Sequence, residues 1–205
     1  MPQPDEVRDS DWRARVFKNR GLLLVPVALA LVIFGAPSVR STIVGLAVAA
    51  LGEVIRIWAV GYSGITTRSN EVTAPQLVTA GPYAWIRNPL YAGNSIIALG
   101  FWLAFSGDVS MGTSLALFAF IAILMISVYA TIIPLEESYL TRTFGGDYEI
   151  YRRTVPRIVP LAAPLPKEER QGTWRAAVIA RAEIITLIYF LIMIGAVVFR
   201  LRAAR

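Results

Sequence analysis

Two adjacent carboxylates, Glu136 and Glu137, follow closely on a run, Met111–Pro134, that carries no charged side chain. Neighbours on a helix point about 100° apart, so one acid can turn into a polar cavity while the other meets solvent or an arginine. A second cluster is GPYAWIRNPLYAG at residues 81–93. Gly81–Pro82 and Asn88–Pro89 fix turns, Arg87 supplies a rigid donor fork, and Gly93 permits close backbone approach. Tyr83, Asn88 and Tyr91 add hydrogen-bonding groups. The same stretch also suits a juxtamembrane anchor, with Tyr and Trp at headgroup level and Arg on a phosphate. Tyr148, Tyr151, Arg152, Arg153 and Arg157 could stack on lipid and bind headgroups. Glu53 and Arg56 sit inside the apolar run Ser41–Tyr62, three residues apart and so on one helical face. Charge at membrane depth is costly, so this pair should face the protein interior, a cavity or the interface, as a binding group or as a structural ion pair.

The chain has no cysteine and no histidine. Disulfides, thiolate nucleophiles and Cys- or His-based zinc sites are excluded, and the 14 acids are too scattered for an all-carboxylate metal site. Acid–base work must fall to Glu, Asp, Tyr, Lys or a bound water. No Walker-type loop, Rossmann fingerprint or serine-hydrolase elbow is present.

The elements that must position these groups are apolar. Of 205 residues, 56 % are hydrophobic and 17 % charged, against roughly 25 % charged in a soluble domain. Five apolar runs stand out: Gly21–Ala36, Ser41–Tyr62, Leu90–Phe105, Met111–Pro134 and Ile184–Phe199. They predict an all-α, polytopic membrane protein with about five transmembrane segments. The first run, with Pro26 near its start and a kink expected there, is read as a retained span, not a cleaved leader. The third and fourth, joined by Ser106–Asp108, form an antiparallel hairpin. Residues 63–89 read as a loop or re-entrant element. Glu136–Phe144 predicts a short helix ended by Gly145–Gly146, and Val159–Gln171 a linker. Residues 1–20, with Arg8, Trp12, Arg13, Arg15, Phe17, Lys18 and Arg20, suit a short interfacial helix or a solvated basic tail.

The net charge is +6. The basic residues flank apolar runs, where they meet anionic headgroups, and no aromatic-interleaved basic patch points to nucleic acid. Fifteen of the 20 Lys and Arg fall in residues 1–20, 63–89 and 135–183, which predicts a cytoplasmic N terminus. Arg200, Arg202 and Arg205 oppose this rule if the last run crosses. With four crossing segments, residues 63–89 and the polar stretch after the fourth share one face, so function is expected at the cytoplasmic membrane boundary. No motif specifies an oligomeric state.

LVTAGPYAWIRNPLYAG, followed some fifty residues later by PLEESYLTRTFGGDYEIYRRTVPRIVP, resembles the isoprenylcysteine carboxyl methyltransferase and phospholipid methyltransferase superfamily. The likeness runs from about Ser41 to Pro160. It implies an S-adenosylmethionine pocket at the membrane edge, with Gly81, Tyr83, Asn88, Tyr91, Glu136 and Glu137 near the cofactor. Glu137 would match the second glutamate of the family pair, poised for the cofactor's amino group or ribose. Glu137, Arg87 and Arg157 would carry the catalytic roles, and Glu53, Arg56, Tyr148, Tyr151 and Arg152 the substrate. Asn88 stands where many relatives have histidine, so it lacks a charge switch near neutral pH. The organisation implied is one membrane-embedded domain: an N-terminal segment 1–20, a four-helix core 21–134, a cytoplasmic catalytic segment 135–183 and a fifth membrane segment 184–199. The expected activity is methyl transfer to a lipophilic substrate, a prenylcysteine-like carboxylate, in the cell inner membrane. A phospholipid ethanolamine N-methyltransferase, an NADPH-using relative of the sterol reductases and a non-enzymatic lipid-binding scaffold are the alternatives. Membrane lipids and a lipid or prenylated substrate are the expected partners, with no metal and no nucleic acid.

Overall fold

The computed structural model describes Trp12 and residues 15–64 and 74–203. Arg8 and Arg13 of the expected interfacial helix, part of the 63–89 loop, and Arg205 lie outside the described residues. Residues 15–18 are helical and bury Phe17 in the main core.

Among the described residues six helices of appreciable length form: α1 (Val25–Phe34), α2 (Val39–Ser63), α3 (Pro89–Phe105), α4 (Met111–Phe144), α5 (Gly146–Thr154) and α6 (Ile184–Ala203). The chain is an all-α polytopic membrane protein. Helices α2, α4 and α6 are long and apolar enough to cross a membrane, and two shorter apolar helices accompany them. Pro26 falls in the first turn of α1, just after a 3-10 turn at Leu22–Leu24, where its missing N–H costs nothing. Ser38 and Ser41 build a reciprocal capping box at the start of α2, and Ser110 caps α4 through the Thr113 N–H.

Helix α4 differs most from expectation. It passes through Pro134 without a break and carries Glu136 and Glu137 on the same 34-residue rod. Proline deletes one intrahelical bond, but the flanking Ile132 and Ile133 are fully packed in the core. Burial there holds the helix together to Gly145, whose φ of 54° ends it. The acids are therefore rigidly coupled to the membrane core.

Helices α2 and α3 make by far the most intimate pair. Gly45, Ala49 and Gly52 face Gly93, Gly100 and Ala104; a Cβ on Gly52 would stand 2.7 Å from the Gly93 carbonyl oxygen. Without a hydrophobic drive between helices in lipid, small residues that let backbones touch are what hold such pairs. A side chain on Gly45 would run into the Ala104 backbone, whereas nothing lies near Gly195 on α6. Gly45→Val is expected to cost about 1–3 kcal/mol by overpacking, and Gly195→Val close to nothing. Thermal melting of both in detergent checks this, and equal melting temperatures would refute the backbone-contact account.

The far ends of the apolar helices meet in one place. The Ala36 N–H donates to Phe105 O, the Asp108 N–H to Ala36 O, and Arg200 Nη2 to Gly35 O at 2.6 Å. The last contact brings the end of α6 to the turn between α1 and α2. Only 6 % of the α6 apolar window is buried in protein, against 39 % in α2 and α4. Hydrocarbon is the environment that suits the remainder.

At the opposite end the expected linker is a strap. The Thr79 and Ala80 N–H groups donate to Gln171 O, the Leu165 N–H to Ala84 O, and the Arg175 N–H to Gly61 O. The Gln171 N–H donates to Thr79 Oγ1 at 2.7 Å. These bonds hold residues 159–176 against the 74–88 segment and the end of α2. Composition missed this because backbone-to-backbone pairing leaves no side-chain signature.

Candidate functional site

Helical geometry separates the two acids of α4. Glu136 turns into a cavity of about 1300 Å³ and accepts a hydrogen bond from Tyr91 Oη at 2.7 Å. Glu137 turns the other way and is buried beneath two arginines. Arg87 Nη2 and Nε reach its Oε1 at 2.9 and 3.1 Å, and Arg157 Nη2 reaches its Oε2 at 2.6 Å. Glu137 does not line the cavity. Its hydrogen bond raises the Arg157 guanidinium above the ordinary arginine value, which holds that group as a cation.

Arg87 is the bolt between the two sequence motifs. Besides Glu137, its Nη1 donates to Arg152 O at 2.7 Å and to Val155 O at 2.5 Å. Its backbone N–H donates to Pro156 O, and both the backbone and side-chain N–H of Asn88 donate to Arg157 O. Tyr151 Oη donates to Tyr83 O at 2.8 Å. Tyr148 and Tyr151 pack with Ala84, Val155 and Leu165 in a small second core beneath the strap. Gly81 is required locally: its φ is +63°, and a side chain there would strike the Tyr62 ring.

Of the residues singled out in the sequence, Tyr83, Arg87, Asn88, Tyr91, Glu136, Tyr148, Tyr151 and Arg56 line the cavity. Gly81, Glu53, Glu137, Arg152 and Arg157 do not. Arg152 is turned outward in a half-exposed pair with Glu149 at 3.0 Å. Arg157 is half exposed, with one face on Glu137. Glu53 is 3.9 Å from Arg56, but the closer partner of Arg56 is Glu183, bound through both oxygens at 2.8 and 3.0 Å.

Phe17, Lys18 and Arg20 of the basic N-terminal stretch also line it, and several lining residues escaped the sequence reading: Tyr62, Asn94, Tyr129, Arg175 and Thr186. Asn94 follows Tyr91 by three and Tyr129 precedes Glu136 by seven, so helical spacing placed both on the site's faces. Arg175 and Thr186 come from distant parts of the chain and carried no such signal.

The cavity is chemically two-ended. Toward the strap lie Tyr83, Arg87, Asn88, Tyr148 and Tyr151; toward the membrane core lie Leu31, Ile97, Phe101, Met125, Phe190 and Met193. Seven of the chain's eight tyrosines line it, all but Tyr139. Burial pushes the Tyr83, Tyr148 and Tyr151 phenols upward, which keeps them neutral. Among the described residues Glu136 is the one carboxylate on the cavity wall, against five cations. No group of three His, Cys, Asp or Glu among the described residues could hold a metal ion.

The family model for phospholipid methyltransferases matches residues 40–147, which takes in α2 to α4, Arg87 and both acids. The chain belongs to the phospholipid methyltransferase family. Among curated proteins, this family member is 41 % identical over 86 residues to the protein-S-isoprenylcysteine O-methyltransferase of Schizosaccharomyces pombe, covering 42 % of this chain and 33 % of that one. It is 34 % identical over 122 residues to protein-S-isoprenylcysteine O-methyltransferase B of Arabidopsis thaliana, covering 57 % of each. It is also 34 % identical over 110 residues to the cobalt-zinc-cadmium resistance protein CzcN of Cupriavidus metallidurans, covering 54 % of this chain and 45 % of that one. The matched part thus spans between a third and three-fifths of these relatives' lengths. No solved structure matches the chain.

Proposed function

We propose that this family member transfers a methyl group from S-adenosylmethionine to a lipophilic acceptor at the cytoplasmic membrane boundary. One observation carries the reading. A single cavity joins the polar groups of both family motifs to an apolar space between α1, α3, α4 and α6. A polar cofactor and an apolar tail can meet there, each from its own side.

The lining fits the cofactor. Glu136 is a desolvated carboxylate for a cationic centre, the tyrosine faces suit a sulfonium or an adenine ring, and Tyr148 Oη is buried with no hydrogen-bond partner. Arg87, at the wall, suits the cofactor's own carboxylate. The bound sulfonium supplies an activated methyl group for in-line displacement, which needs alignment and a desolvated nucleophile but no metal. Tyr91 orients Glu136, and Glu137 acts from behind the wall by holding Arg87. Gly81 and Asn88 set the path of the segment that carries Tyr83 and Arg87.

The acceptor favoured is a prenylcysteine-like carboxylate, the substrate class named in several relatives; a carboxylate needs no base. The family's own description favours a phospholipid amine as second reading, and Glu136 is then the group placed to take the proton. All five apolar segments are assigned as membrane crossings, with the N terminus cytoplasmic and the cell inner membrane as the site.

Isothermal titration of the detergent-purified protein with S-adenosylmethionine, S-adenosylhomocysteine and NADPH tests the proposal. Saturable binding of both adenosyl ligands and none of NADPH is the expected result. Methyl uptake by a farnesylcysteine analogue or by phosphatidylethanolamine then separates the two acceptors. A folded sample that binds neither adenosyl ligand overturns the methyltransferase reading.

A further inference from the structure

Below the Tyr91–Glu136 pair a second polar layer lines the cavity before its wall becomes apolar. Helix α3 passes from Tyr91 to Asn94 in three residues, a rise of about 4.5 Å. From α4, Tyr129 stacks against Tyr91 with ring centroids 4.7 Å apart. From α2, Arg56 Nη1 donates to Asn94 Oδ1 at 2.5 Å. From α6, Thr186 Oγ1 lies 3.4 Å from Arg56 Nη2. All four side chains line the cavity.

Arg56, Asn94 and Tyr129 bring donors to the layer, and Thr186 Oγ1 accepts from Arg56. Asn94 spends its oxygen on Arg56, which leaves its amide nitrogen for the neighbouring Tyr129 hydroxyl. Tyr129 Oη is buried beside the Asn94 amide, 7 % of the residue being exposed, and no acceptor among the described residues takes its proton. A buried hydroxyl proton without an acceptor costs about 1–3 kcal/mol, and its position on the cavity wall makes a ligand atom the natural acceptor. Arg56 brings a guanidinium to membrane depth, where isolated charge is expensive. Glu183, wholly buried just before α6, grips its far nitrogen through both oxygens and so fixes the direction of the fork. Glu53 stands behind Arg56 and off the wall. Above the layer the wall carries Lys18, Arg20, Arg87 and Arg175 against the single carboxylate Glu136, so the passage leading to it is electropositive.

We propose that Arg56, Asn94, Tyr129 and Thr186 form a receptor for an oxyanion, a phosphate or a carboxylate, at the junction between the polar head and the apolar tail of a bound lipid. Glu183 and Thr186 lie beyond residues 40–147, so the site is completed by a part of this chain outside the family match. Glu183 is a positioning residue that acts through Arg56. The proposal rests on the same cavity as the methyl-transfer reading but not on the identity of the cofactor.

Native mass spectrometry of the detergent-purified full chain tests it. The probes are hexadecyl phosphate, palmitate, hexadecanol and hexadecyltrimethylammonium, which share one tail length and differ in head. Comparison with variants cancels partition into the micelle. Tyr129→Phe and Asn94→Leu are each expected to reduce retention of an anionic probe by about tenfold, the loss of one hydrogen bond to a charged group, while hexadecanol stays unchanged. The phosphate and carboxylate arms show which oxyanion the layer prefers. Tyr129→Phe removes a single oxygen whose proton no protein acceptor takes, so it remains a fair test if Asn94→Leu does not fold. Anionic probes held no better than hexadecanol, or held equally by Tyr129→Phe, would overturn the proposal. S-adenosylhomocysteine titration of the same samples separates the two ideas. Head-selective retention without adenosyl binding leaves the receptor standing and removes the methyl-transfer reading; adenosyl binding without head selectivity does the reverse.

Discussion

Glu137→Gln is expected to destabilise the protein by about 3 kcal/mol, the lower end of what breaking a buried ion pair costs. The carboxylate is 5 % exposed and is shared by Arg87, 9 % exposed, and Arg157, 52 % exposed. Removing its charge leaves the Arg87 guanidinium uncompensated inside the protein, between carbonyls that cannot neutralise it. Arg87→Gln should be at least as damaging, because it also releases the Arg152 and Val155 carbonyls. Arg157→Gln should cost under about 1 kcal/mol, since a half-exposed partner is rehydrated when the pair opens. Melting in detergent followed by tryptophan fluorescence ranks the three. Equal melting of Glu137→Gln and the unaltered protein would mean that the clamp does not support the fold.

Glu136→Gln is expected to leave the melting temperature nearly unchanged and to weaken S-adenosylhomocysteine binding by roughly 30- to 100-fold, the value of one desolvated charge-assisted contact of about 2–3 kcal/mol. The reason is orientation. Glu136 contributes little to the packing of α4; it accepts a hydrogen bond from Tyr91 Oη, lies within the field of the Arg20 cation, and sits on the cavity wall. Tyr91→Phe should give a smaller loss, because it frees Glu136 without removing its charge. Titration calorimetry on both variants checks the pair. Intact binding in Glu136→Gln, with binding lost in a fully folded Glu137→Gln, would give the ligand role to Glu137. The resemblance by itself pointed there. The two acids are thus distinguishable by experiment: one reports through stability and the other through affinity.

The apolar runs were legible in the sequence because each is a contiguous stretch that must satisfy its backbone internally in lipid, and the helices found differ from them mainly at the ends. The split between Glu136 and Glu137 was legible too, since it follows from the pitch of a helix alone. What the sequence could not say is which acid turns inward. That depends on the rotation of α4 about its axis, and the rotation is set by Ile132 and Ile133 in the core and by Arg87 arriving from a loop fifty residues away. The partner of Arg56 was hidden for the same reason. Local spacing offered Glu53 at three residues, whereas packing of the last helix delivers Glu183 from 127 residues away. The Val159–Gln171 strap read as linker because its bonds are between backbones. Composition and periodicity therefore determined that this chain is a helical membrane protein with its polar chemistry gathered at one boundary. Tertiary structure alone decided which charged groups face the cavity and which are locked behind its wall, because facing is a property of several helices packed together and not of any one of them.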